Sequence, residues 1–239
     1  MAASVTQNGK ASFAPQESTR PVFSASQANE IRGSQILDRG TTRAVAAVIA
    51  GGQSARMGAD KSALLLGDRR LAMWSARALS AVCKTRVQLG GSAIPELRWP
   101  LLADLRSGCG PAGGIETGLA TFPGAALVVC AVDLPFVPTA LLADLLSRLA
   151  SGSLAAAPWH DDRWHPLCAA YSPAFLPPLR DWLDAGQRDL QRLLDRVGAV
   201  QVRDAELSAF GDPLTVLHNV NTPDDLEAAR ARVSGAKLP

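Results

Sequence analysis

The chain reads as an α/β protein built on a mostly parallel sheet, and three observations carry that expectation. Residues 45–50 are apolar and stop abruptly at Gly51-Gly52, as a buried strand does when it feeds a tight turn. Strand-like and helix-like patterns then alternate through residues 70–103, the β-helix-β rhythm of a parallel sheet. Residues 125–132 are apolar without interruption, which places them in a central strand covered on both faces.

Length and composition narrow the field. A chain of 239 residues has room for one domain, with or without a tail. Its 47% hydrophobic and 19% charged residues are ordinary for a soluble globular protein. A net charge of +2 gives no drive toward nucleic acid or membrane surfaces. The run 125–132 is also the longest apolar one, far too short to span a bilayer. Cys83, Cys109, Cys130 and Cys168 form no C-x-x-C pair. That argues against a zinc site or disulfide framework and fits a reducing cytoplasm.

Residues 1–43 are rich in Ser, Gln, Ala, Gly and Thr and lack apolar periodicity. They are expected to be mostly disordered, because they bury too little surface to offset ordering entropy. No continuous apolar core marks them as a secretory signal, and a misplaced start codon would give the same composition. The domain itself is expected over residues 44–239.

The stretch 46–61, AAVIAGGQSARMGADK, organises the rest. Adjacent glycines let the backbone approach a ligand closely. Arg56 and Lys61 add fixed positive charge, so the loop suits a polyphosphate. It matches neither the Walker A pattern nor the dinucleotide fingerprint. On its residues alone it serves equally as a tight strand-to-helix connection.

After the loop, residues 70–82 are expected to be helical, with Leu71, Trp74, Leu79 and Val82 on one face. Residues 85–89 alternate like a strand and stop at Gly90-Gly91, and residues 99–103 form a short third strand ending at Asp104. Gly108, Gly110, Pro111, Gly113 and Gly114 read as a flexible turn, followed by a helix to about residue 122. This turn is either a ligand loop or an ordinary connection. The apolar strand 125–132 delivers Asp133 to its carboxyl end, where α/β sheets bind ligands. There its carboxylate either holds Mg²⁺ together with substrate phosphates or caps the helix beginning near Thr139.

Residues 139–149 read as an amphipathic helix. His160, Asp161, Asp162 and His165 fit no standard zinc spacing and read as neutral surface turn residues. Helices at 173–185 and 189–197 and a strand at 199–202 follow. Thr222 caps the final helix, with Pro223 at its first position and Asp225 complementing the dipole.

Four segments in order also resemble one family. The loop I-A-G-G-Q-S-A-R-M-G-A-D-K, the segment D-L-R-S-G-C-G-P-A-G-G-I from Asp104, C-A-V-D-L-P around Asp133, and N-V-N-T-P from Asn219 are similar to the motifs of the molybdenum cofactor guanylyltransferases. The resemblance covers residues 44–232. It implies a three-layer αβα sandwich of the nucleotide-diphospho-sugar transferase (GT-A/Rossmann-like) type. It further implies GMP transfer from GTP to the terminal phosphate of molybdopterin, with release of pyrophosphate.

By that resemblance Ile49, Ala50, Gly51, Gly52, Arg56 and Lys61 hold the triphosphate. Asp104 contacts the nucleotide, and Asp133 binds Mg²⁺. Arg163 and His165, in a segment like R-x-H-P-x-x-A, and Asn219 and Asn221 face the molybdopterin-type substrate. Molybdoenzyme apoproteins or their chaperones are the implied partners. Two departures stand out: Ala112 replaces a usual leucine, and Gly90 or Gly91 takes the place of an asparagine, which bears on nucleotide selectivity.

Two other readings stand beside this one. A related nucleotidyltransferase would use CTP or a sugar-phosphate acceptor, against the spelling I-A-G-G and the N-V-N-T-P ending. A non-catalytic nucleotide-binding protein would have less use for Lys61 and Asp133. A nicotinamide dehydrogenase is disfavoured by the missing fingerprint and by the lack of an acidic residue near position 90.

Overall fold

Strand β1 (Ala44–Ile49) sits inside the sheet because its residues alternate between two cores. In the computed structural model, which describes residues 43–50 and 64–235, Ala46 and Val48 face one core while Val45, Ala47 and Ile49 face the other. Gly51, Gly52, Arg56 and Lys61 of the organising loop, and all of residues 1–42, lie outside the described residues.

A hairpin of β2 (Leu65–Leu66) and β3 (Arg69–Arg70) leads into helix α1 (Leu71–Val82). Then come β4 (Thr85–Leu89), β5 (Leu101–Leu102), α2 (Gly110–Thr121), β6 (Ala126–Ala131) and α3 (Thr139–Ser147). Three more strands follow, β7 (Ala155–His160), β8 (Arg163–Trp164) and β9 (Cys168–Tyr171). Helices α4 (Leu176–Asp184) and α5 (Leu190–Arg196) precede β10 (Val200–Arg203). Short helices α6 (Asp204–Leu207) and α7 (Pro213–Val216) lead to α8 (Pro223–Gly235).

Among the described residues the main sheet runs β10-β7-β9-β6-β1-β4-β5, with β8 on β7. β1 pairs parallel with β4 and β6, β4 with β5, and β10 with β7; β9 is antiparallel to both its neighbours. Helices α1 and α3 cover one face and α2, α4 and α5 the other. This is the three-layer α/β sandwich that the sequence led us to expect. A third, smaller core joins Leu66 and Leu71 to Val220, Leu226 and Ala229 of the C-terminal segment.

Several local expectations need correction. Gly110, Gly113 and Gly114 lie inside α2, not in a turn before it. Glycine is a poor helix former, but here its small size lets α2 lie against the sheet: a Cβ on Gly118 would stand 2.8 Å from Leu127 Cδ2. The third strand keeps only Leu101–Leu102. The helix expected over 173–185 opens with a 3-10 turn, Pro173–Phe175, and α3 gives way to another at Arg148–Ser151. At the last helix Thr222 Oγ1 accepts from the Asp225 N–H at 3.2 Å. Asp225 in turn accepts from the Thr222 N–H at 2.8 Å, a reciprocal cap rather than a dipole contact alone.

Candidate active site

Parallel pairing brings the carboxyl ends of β5, β4, β1, β6, β7 and β10 to one edge of the sheet. In strand order this edge presents Asp104, Gly90, Ala50, Asp133, His160 and Asp204. Such an edge is where open α/β sheets bind ligands.

Among the described residues, the half around β1 is built largely from backbone. The Ala50 N–H donates to the Leu89 carbonyl at 3.0 Å, and the Ile49 carbonyl accepts from the Val132 N–H at 3.1 Å. The Ile49 side chain is buried in the core. Gly91 has φ +67°, and a Cβ there would stand 2.0 Å from the Ala50 carbonyl oxygen, so only glycine fits. Gln88 shapes the turn that follows. Its amide donates to the Ser92 carbonyl at 2.6 Å and the Gly90 carbonyl at 3.2 Å, while its oxygen accepts from the Ile94 N–H at 3.0 Å.

Asp104 faces this floor. Its carboxylate lies 3.8 to 3.9 Å from where Cβ atoms would stand on Gly90, Gly113 and Gly114. Oδ1 is buried without a hydrogen-bond partner, and burial pushes the carboxyl pKa up. An orphaned buried acceptor of this kind is costly and marks a place for a ligand donor. The segment after it is pinned to α2. Thr117 Oγ1 accepts from the Leu105 N–H at 2.9 Å, and buried Glu116 pairs with Arg106 at 2.9 Å and Arg180 at 3.1 Å.

Asp133 occupies the middle of the edge. Its turn is tied down by buried Ser75 of α1, whose hydroxyl donates to the Ala131 carbonyl at 2.8 Å. The Asp133 carbonyl accepts from the Val220 N–H at 2.9 Å. Asn219 and Asn221 flank Val220, so the C-terminal segment is docked directly beside Asp133. Asp104 is three strand spacings away, on the order of 14 Å.

The other half is a pocket of about 310 Å³. Arg163, His165, Asn219 and Asn221, expected on the acceptor side, all line it, together with His160, Leu214, Leu217 and His218. Asp161 and Asp162, at φ near +53°, form the exposed two-residue turn between β7 and β8. His165, however, is not a surface residue: it is 6% exposed, and burial holds its pKa down to about 4. His160 is also largely covered, with Nδ1 2.6 Å from Asp204 Oδ1. The Nε2 atoms of His160 and His165 are buried without partners. Among the described residues no group of three or more His, Cys, Asp or Glu is arranged to hold a metal ion.

Ser75, Gln88, Thr117 and Asp204 escaped the sequence reading. Ser75 had a signal, a polar residue four places from both Leu71 and Leu79 on an apolar stripe. Asp204 had none.

Known proteins bear on this arrangement. Residues 46–202 match the MobA-like NTP transferase domain. The chain is 33% identical to a molybdenum cofactor guanylyltransferase of Sinorhizobium fredii, over 78% of this chain and 90% of that one. It is 34% identical to a probable molybdenum cofactor guanylyltransferase of Chloroflexus aggregans, over 77% and 92%. In structure it is similar to molybdopterin-guanine dinucleotide biosynthesis protein A from Archaeoglobus fulgidus, with TM-score 0.70 and 28% identity over 80% of this chain and 100% of that one. It shares its fold with 2-C-methyl-D-erythritol 4-phosphate cytidylyltransferase from Thermus thermophilus, at TM-score 0.58 and 18% identity over 79% and 98%. With profile, relatives and architecture in agreement, the chain belongs to the MobA-like NTP transferase family, among the molybdenum cofactor guanylyltransferases.

Proposed function

We propose that the protein transfers the guanylyl group of GTP to the terminal phosphate of molybdopterin. An oxygen of that phosphate attacks the α-phosphorus, the bond from α-phosphorus to the β-bridging oxygen breaks, and pyrophosphate leaves with the electron pair. Such a reaction needs in-line positioning and neutralised charge more than a protein nucleophile. The observation that supports the reading is the hydrogen bond from the Val220 N–H, between Asn219 and Asn221, to the Asp133 carbonyl, which sets the proposed acceptor residues beside the proposed metal ligand.

In this reading Asp104 takes a donor from the nucleoside, and Ala50 with the adjoining backbone forms the floor of the nucleotide site. Gly51, Gly52, Arg56 and Lys61 hold the triphosphate; they lie outside the described residues, and the role rests on the match of the loop. Asn219, Asn221, Arg163 and His165 receive the acceptor.

Mg²⁺ fits the donor set. Asp133 offers hard carboxylate oxygens at the junction of the two sides, and Mg²⁺ is commonly held by one or two carboxylates plus substrate phosphates. When bound there it would neutralise charge on the phosphate oxygens. No described helix is long and apolar enough to cross a membrane. We place the reaction in the cytoplasm, with delivery of product to molybdoenzyme apoproteins or their chaperones.

The test is pyrophosphate release from each of the four NTPs with Mg²⁺, with and without molybdopterin. The expected result is release from GTP alone that depends on the acceptor. Release from CTP instead would reassign the nucleotide, and nucleotide binding without release would refute transfer.

A further inference from the structure

The chain contains three histidines, and all three line the pocket beside Asp133. They are not equivalent. His218 Nε2 lies 3.0 Å from the Asp225 carbonyl, which can only accept, so that N–H is already used. His165 is buried and neutral at physiological pH. His160 alone is held by a carboxylate, with Nδ1 2.6 Å from Asp204 Oδ1.

That contact fixes the tautomer. A carboxylate accepts, so Nδ1–H donates to Asp204, and in the neutral ring Nε2 keeps its lone pair. His160 lines the pocket, and its Nε2 is buried and without a partner. A ligand N–H that reaches this atom from the pocket would satisfy a fixed hydrogen-bond acceptor.

Position says which part of the ligand arrives. His160 ends β7, two strands from β6 and Asp133, on the order of 10 Å. A phosphate reacting beside Asp133 leaves the opposite end of its molecule near His160. Leu214 and Leu217 add apolar wall to the pocket, which suits a flat heterocycle. A pterin ring carries N–H and amino donors at that end.

We propose that His160, oriented by Asp204, accepts a hydrogen bond from the heterocycle of the acceptor and so selects the acceptor without affecting GTP. The proposal rests on the guanylyl-transfer reading above. Asp204 is a positioning residue whose side chain is 66% exposed, and it acts only through the ring it holds.

The experiment measures KM for molybdopterin at saturating GTP, and KM for GTP, in wild type, His160→Ala, Asp204→Asn and the double variant. Losing the contact is expected to raise acceptor KM about tenfold with GTP KM unchanged. Asp204→Asn should act similarly, since an amide permits the other tautomer and sets N–H against N–H. The double variant should be no worse than His160→Ala. ¹⁵N NMR should show the neutral His160 ring protonated on Nδ1 in wild type and shifted toward Nε2 in Asp204→Asn.

A purely structural pair joining β7 to α6 would lower Tm and leave acceptor KM alone, which would overturn the proposal; so would equal increases in both KM values. If His160→Ala fails to fold, the exposed Asp204→Asn carries the same test. If wild type releases no pyrophosphate, the transfer reading fails separately. Molybdopterin affinity of wild type and the variants, followed by pterin fluorescence, then still decides whether His160 reads the ring: equal affinities would reject it.

Discussion

The two halves of the sheet's carboxyl edge are built in different ways. Among the described residues, the half over β5, β4 and β1 presents backbone, glycines and the Asp104 carboxylate. The half over β6, β9, β7 and β10 gathers imidazoles, amides and a guanidinium around a pocket. A nucleotide floor can be written in close backbone approach, with Arg56 and Lys61 of the adjoining loop proposed to add the charge that holds the triphosphate. A site for a particular heterocyclic acceptor needs directional side chains, and these must be brought from separate parts of the chain.

Asp133 stands at the boundary, so removing it should break both halves at once. Asp133→Ala is expected to lower kcat/KM by about a thousandfold or more, the scale seen when a principal charge-stabilising group is lost. Thermal unfolding should move little, because the turn is held by backbone contacts to Ile49 and Val220 and by Ser75. Near-normal turnover would remove Asp133 from the chemistry.

The acceptor half should show itself in acid. His165 binds a proton with pKa about 4 when folded, against an ordinary 6.5. The unfolded state therefore binds more protons between these values, and stability rises with pH. This contribution is fully present above pH 6.5 and lost as pH falls through about 4. At about 1.4 kcal/mol per pH unit it amounts to about 3 kcal/mol. Denaturant titrations across that window should show the loss in wild type and a flatter curve in His165→Asn; parallel curves would contradict the burial argument.

The donor half should instead fail through its backbone. Gly91→Ala puts a Cβ against the Ala50 carbonyl at a left-handed φ and should cost about 2 kcal/mol of stability. The displaced Ala50 should weaken GTP binding before acceptor binding. An unchanged unfolding midpoint would mean that the turn tolerates a side chain there.

The same contrast explains what could be read in advance. On the side of β1, the placement of Ala50 and Asp104 at the carboxyl edge was legible because each ends a contiguous apolar stretch; Gly51 and Gly52 lie outside the described residues. The central strand and Asp133 followed from one apolar stretch. Asp204 was not legible, since its partner His160 lies 44 residues earlier and only the pairing of β10 with β7 brings them together. His165 was misread as a surface turn residue because two aspartates precede it, yet only Asp161 and Asp162 form the turn. The hairpin at Leu65–Leu66 and Arg69–Arg70 has strands two residues long, too short to show a period. Gly113 and Gly114 of α2 were read for their flexibility, whereas close packing against Cys109 and Leu89 uses their size.

The most direct test of a divided edge is a crossed pair of steady-state measurements on Asp104→Asn and Asn219→Ala. Asp104→Asn should raise KM for GTP about tenfold and leave that for molybdopterin alone, while Asn219→Ala should do the reverse. If both variants shift both constants together, the edge works as one undivided site and the account is wrong.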